Sequence, residues 1–139
     1  MSDAKKPRIL VVDDEPLIVK LLAQHLQEEG FDVLTAIDGR EGLMKARAEA
    51  PDLILLDLIL PKLNGYEVCT MLKQDTRYQR IPIVMLTAKA HEKDERVGKE
   101  CGADLYLRKP FQIPPLLEHL RAMIGTPPQS SSVPSQDTA

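Results

Sequence analysis

The chain has 139 residues, 43% of them hydrophobic and 28% charged, a length and balance that fit one globular domain rather than a disordered segment. Its 18 Lys and Arg stand against 21 Asp and Glu, a formal net charge of -3, so the broad positive field that holds a phosphate backbone is missing. Trp is absent and aromatics reach only 4%, which excludes a base-stacking platform, and uninterrupted aliphatic runs of about four residues exclude a membrane span.

In chain order, Lys5, Lys6 and Arg8 precede the run ILVV at 9–12, too short for a signal peptide, and the expected compartment is the cytoplasm. That run predicts the first strand. Leu17, Ile18, Leu21, Leu22 and Leu26 then recur at helical spacing, with Pro16 suited to a first turn and Gly30 to a stop. A second strand is predicted around Val33 and Leu34, and a second helix opens on Asp38 and Glu41 as a capping box, with Leu43 and Ala46 on its core face. LILL at 53–56 predicts a third strand, and a third helix starts at Asn64 and carries Val68, Met71 and Leu72.

IVML at 83–86 predicts the fourth strand, and a mostly charged fourth helix follows at about 91–101 with Val97 as its main aliphatic residue. LYL at 105–107 is the fifth strand. A fifth helix from about Pro114 buries Leu116, Leu117, Leu120 and Ile124. Strands that read as continuous apolar runs are buried on both faces, as a parallel sheet covered by helices requires. Residues 126–139, rich in Pro and Ser, are expected to be a disordered tail or linker after a domain spanning 7–125. Cys69 and Cys101 lack metal-ligand or CxxC spacing and read as thiols; His25, His91 and His119 read as surface or packing residues.

In open α/β sheets ligands collect outside the carboxyl ends of the strands. The first run ends in Asp13, Asp14 and Glu15, the third in Asp57, the fourth in Thr87 and Ala88, and the fifth precedes Arg108, Lys109 and Pro110. In the strand order 2-1-3-4-5 these groups share one edge of one surface. Crowded carboxylates either gain proton affinity or are neutralised by a lysine and a divalent cation, and an all-oxygen ligand set favours Mg2+ over zinc or copper. Such a site lets Asp57 attack an activated phosphoryl group, with Lys109 and Thr87 holding the charge that remains.

The segments VVDDEP at 11–16, LILLDLILPKLNG at 53–65, VMLTA at 84–88 and GADLYLRKPF at 102–111 together resemble the receiver domain of two-component response regulators. The resemblance covers about residues 8–124 and implies a flavodoxin-like (βα)5 fold with five parallel strands in the order 2-1-3-4-5 and helices on both faces. It makes Asp57 the phospho-acceptor, Asp14 a direct Mg2+ ligand, Asp13 a water-mediated one and the Ile59 carbonyl a further one, with Mn2+ as an alternative ion. Thr87, Ala88 and Lys109 would bind the phosphoryl group, Thr87 and Tyr106 would form the switch, and the Lys109–Pro110 bond would be cis.

The resemblance further implies a sensor histidine kinase or histidine phosphotransfer protein as donor, and a switched face of the fourth helix, fifth strand and fifth helix that binds a downstream output domain or target protein. It implies a signalling domain rather than an enzyme, with only self-phosphorylation and self-dephosphorylation, no direct nucleic-acid binding and no membrane contact. Leu60 stands where Met often precedes the proline, Leu105 replaces a second acid after Asp104, and Pro114 adjoins Pro115. None of these removes a reacting group, although Leu105 weakens the case for a symmetric charged dimer face.

Three other readings compete. A haloacid-dehalogenase-like phosphatase shares the aspartate, the metal and the lysine but wants a second acid two residues on, where this chain has Ile59. A flavodoxin-like nucleotide binder needs a small or Gly-rich phosphate loop after the first strand, where this chain has DDEP. A phosphorylation-independent scaffold has no need of all five polar groups.

Overall fold

The computed structural model describes residues 6–88 and 102–124. Five parallel strands, β1 (Arg8–Val12), β2 (Asp32–Ala36), β3 (Leu53–Asp57), β4 (Ile83–Ala88) and β5 (Leu105–Lys109), lie in the order β2-β1-β3-β4-β5. Four helices are described: α1 (Pro16–Glu28), α2 (Gly39–Glu49), α3 (Gly65–Lys73) and α4 (Ile113–Ile124), the last being the expected fifth helix. The fourth helix expected at 91–101, with His91 and Cys101, and the tail from 126 onward lie outside the described residues.

Period-2 alternation divides the sheet between two cores. Leu10, Val12, Ile54, Leu56, Ile83 and Met85 pack with Leu43, Ala46, Val68 and Leu72 from α2 and α3. Ile9, Val11, Leu53, Leu55, Val84 and Leu86 pack with Leu22 and Leu26 of α1 and Leu116 and Leu120 of α4. Every residue of the central strand β3 is buried, whereas the edge strands β2 and β5 are mostly half-buried. Each fully sequestered Leu or Ile contributes about 1.5–3 kcal/mol of transfer free energy, so the two apolar layers hold the strands' carboxyl ends in fixed register.

The helix starts are written locally. Pro16 occupies the first turn of α1, where its missing N–H costs nothing. Asp38 caps α2 by accepting from the Glu41 N–H at 2.8 Å, but the Glu41 carboxylate accepts from Ile37 N rather than from the cap itself, so the expected box closes one residue early. Asn64 and Glu67 form a full capping box on α3.

Two of the apolar residues that recur at helical spacing in α1 are not in the core: Leu17 is 81% and Leu21 47% exposed. The row facing the sheet is Ile18, Leu22 and Leu26, each four positions after the last, and Leu17 and Leu21 sit about 100° around the helix from it. Met71 is likewise exposed on α3, whose inward residues are Val68, Cys69 and Leu72. Ile124 is only half-buried at the end of α4. Among the described residues no helix is long and apolar enough to cross a membrane.

Candidate metal and phosphoryl site

Sheet register carries the polar residues to one rim. Asp13 extends β1 by one residue through its N–H to the Ala36 carbonyl at 3.1 Å, and its side chain is fully buried. Asp57 is the last residue of β3, opposite Leu86 of β4. Thr87 lies beside Arg108 and Ala88 beside Lys109 in the β4–β5 pairing. The acids that end β1 and β3, the Thr87 hydroxyl, buried on β4, and the amine that ends β5 thus belong to adjacent strands.

The lysine ties the cluster together. Its Nζ lies 2.9 Å from Asp13 Oδ2, 3.4 Å from Asp57 Oδ2 and 3.3 Å from Glu15 Oε1. Its apolar stem lies along a groove lined by Ile18, Leu22, Pro110 and Phe111, so burial of the methylenes directs the charged head to the acids. The Lys109–Pro110 peptide is cis, as the resemblance implies.

Asp13, Asp14 and Asp57 each present a carboxylate oxygen within 4.8 Å of the others. Both oxygens of Asp13 already have partners, Oδ1 accepting from Glu15 N–H at 2.9 Å and Oδ2 from Lys109, whereas Asp14 is exposed with its carboxylate toward the same cluster. A donor set made of oxygens with an exposed member suits a hard, partly hydrated divalent cation. Burial, and next the Asp13 charge, push the Asp57 carboxyl up to about 7 against the opposing pull of Lys109. Burial works against the Lys109 charge, yet Asp13 and Asp57 outweigh it and raise its pKa.

A backbone contact sets the position of Asp57. Gly65 donates to the Leu58 carbonyl at 2.8 Å, and a Cβ on Gly65 would stand 2.4 Å from the Asp57 carbonyl oxygen. Only glycine permits α3 to begin so close behind the end of β3. Ile59, the expected carbonyl ligand, follows Asp57 by two residues with an exposed side chain.

Tyr106 pairs with Met85 on the α2–α3 face and is half-buried there. His25 is half-buried near the end of α1 and His119 is exposed on α4, and neither belongs to the acidic cluster. Two participants were not assigned roles by sequence reasoning: Glu15, which sits beside the aspartate pair but reveals its lysine partner only in three dimensions, and Gly65, whose signal is its place directly after the Asn64 cap.

Comparison with known proteins bears on the same segment. Residues 9–121 match the family described as Response regulator receiver domain. The alkaline phosphatase synthesis transcriptional regulatory protein PhoP of Bacillus subtilis is 56% identical over 104 residues, 75% of this chain and 42% of that protein. The DNA-binding response regulator MtrA of Mycolicibacterium smegmatis is 45% identical over 122 residues, 88% of this chain and 52% of its own length. The chain spans about half the length of these relatives.

Among solved structures, Vibrio cholerae chemotaxis protein CheY4 superposes with a TM-score of 0.79 at 34% identity, covering 86% of this chain and 99% of that one. The receiver domain of sensor histidine kinase PA1611 from Pseudomonas aeruginosa, solved with a magnesium ion coordinated in its active site cleft, gives 0.81 at 31% identity over 87% and 99% of the two chains.

Proposed function

The chain belongs to the response regulator receiver domain family of two-component systems, and from that premise we propose that it accepts a phosphoryl group on Asp57 from a phosphohistidine of a sensor histidine kinase or histidine phosphotransfer protein. The observation that carries the reading is the buried Asp57 carboxylate, 3.4 Å from Lys109 and clustered with Asp13 and Asp14.

An Asp57 oxygen attacks phosphorus, the bond from phosphorus to the donor nitrogen breaks, and the donor imidazole leaves with the electron pair. Lys109 takes one phosphoryl oxygen, and Thr87 and Ala88 take others. Asp14 and Asp57 would hold Mg2+ directly, with the Ile59 carbonyl, while Asp13 reaches it through water. When bound, the ion neutralises carboxylate repulsion and the charge of the equatorial phosphoryl oxygens; support comes from the all-oxygen cluster and from the magnesium in the PA1611 receiver. Mn2+ would serve the same donors.

Thr87 and Tyr106 then move together, biasing two preexisting states of the surface that meets a downstream output domain or target protein. The receiver spans 7–125 and 126–139 is a tail or linker. It acts in the cytoplasm, binds no nucleic acid or membrane itself, and turns over no substrate beyond its own acyl phosphate.

Incubation with Mg2+ and acetyl phosphate, followed by intact mass, tests this. One phosphoryl group is expected on the parent and none on Asp57→Asn. A gain that survives the substitution assigns another acceptor, and no gain on the parent supports the scaffold reading instead. Sustained turnover of small phosphate esters would support the phosphatase reading.

A further inference from the structure

Glu15 is the helix N-cap of α1, yet its side chain makes no capping hydrogen bond, and glutamate is not among the residues favoured there. Its carboxylate instead meets Lys109 Nζ at 3.3 Å. The ammonium has three protons and three carboxylate partners, Asp13, Glu15 and Asp57. These partners differ in exposure: the side chains of Asp13 and Asp57 are 0% and 10% exposed, and that of Glu15 is 61% exposed. A locally unfavourable cap whose side chain serves a distant lysine is the kind of conflict that marks a functional position.

We propose that Glu15 is a positioning residue that holds the Lys109 ammonium toward the mouth of the site and has to release it as a phosphoryl group arrives on Asp57, thereby setting how fast this chain accepts phosphoryl groups. The phosphorylated side chain brings about two negative charges and three acceptor oxygens, and the most solvated of the three partners is the one that loses the ammonium at least cost. Glu15 acts through Lys109 and touches no reacting atom. The inference rests on Asp57 being the acceptor.

The test is the rate of phosphoryl gain by the full chain and by Glu15→Gln, near-isosteric and exposed, at saturating Mg2+ with acetyl phosphate and with the less anionic phosphoramidate. Exposed ion pairs are worth about 1.4- to 5-fold, and the variant is expected to be faster by a factor in that range, equal for the two donors. Its Lys109 side-chain NMR signals should also lie nearer the positions that the parent reaches with beryllofluoride.

An unchanged or slower rate overturns the proposal. So does a factor that grows with donor charge, which would mean that Glu15 merely repels the donor, and so do Lys109 signals that do not move toward the beryllofluoride position. Failure of the parent itself to gain a phosphoryl group overturns the acceptor reading and the inference together, and is distinguishable from all of these.

Discussion

The Asp57 carboxyl bears two opposing demands: as the proposed nucleophile it has to be ionised, yet burial and the charge of Asp13 raise its pKa from 3.8 to about 7. A native-state pKa above the unfolded one means that the folded protein binds the proton more tightly. Its stabilising contribution is full below the unfolded value and is lost as pH rises through about 7. By linkage, such a shift sets a ceiling of about 4 kcal/mol. In metal-free buffer Asp57→Asn should therefore gain stability over the parent between about pH 4 and 7, by about 1–4 kcal/mol at pH 8, read as the urea-unfolding free energy. A difference that is flat with pH would show that Asp57 is not desolvated as described. The same proton competes with a cation, so Mg2+ affinity should fall as pH drops below about 7.

Among the elements, two backbone positions give opposite expectations. Ala50 ends α2 in the left-handed region at φ 44, where glycine is at ease, and Ala50→Gly should stabilise the protein by about 0.5–1 kcal/mol in the same unfolding assay. Gly65→Ala places a methyl against the Asp57 carbonyl; it should cost about 1–3 kcal/mol and slow phosphoryl gain, because the end of β3 has to shift. The difference between these two glycine questions explains what was legible in the sequence. Strands and helix starts rest on local patterning, so all five strands, the Asp38 cap and the Pro16 and Asn64 starts were readable from residue order. The rotational phase of a helix against its sheet is not local. Leu17 and Leu21 share the period of Ile18 and Leu22, and only packing decides which row faces inward. Glu15 was missed for a related reason, since its partner Lys109 lies far along the chain, whereas the role of Gly65 follows from how closely the start of α3 approaches Asp57 and Leu58, which residue order alone does not give.

For the whole molecule, the order β2-β1-β3-β4-β5 turns scattered residues into one rim; the polar residues at the strand ends were legible in the sequence, whereas the order itself came with the family resemblance. A ligand that binds only the folded state stabilises it by about 2.7 kcal/mol at one hundred times its dissociation constant. Mg2+ should accordingly raise the thermal midpoint of the parent at pH 8, and Asp14→Ala should abolish most of that rise while leaving the metal-free midpoint nearly unchanged, because Asp14 is exposed. The proposed function requires Asp57 to become an acyl phosphate. Borohydride reduces an acyl phosphate to an alcohol, and so converts a phosphorylated aspartate to homoserine. After treatment with Mg2+ and acetyl phosphate, then borohydride, peptide sequencing by mass spectrometry should find homoserine at position 57 alone, and only when Mg2+ was present. Homoserine at another aspartate, or an unmodified Asp57 in a chain that has gained a phosphoryl group, would contradict it.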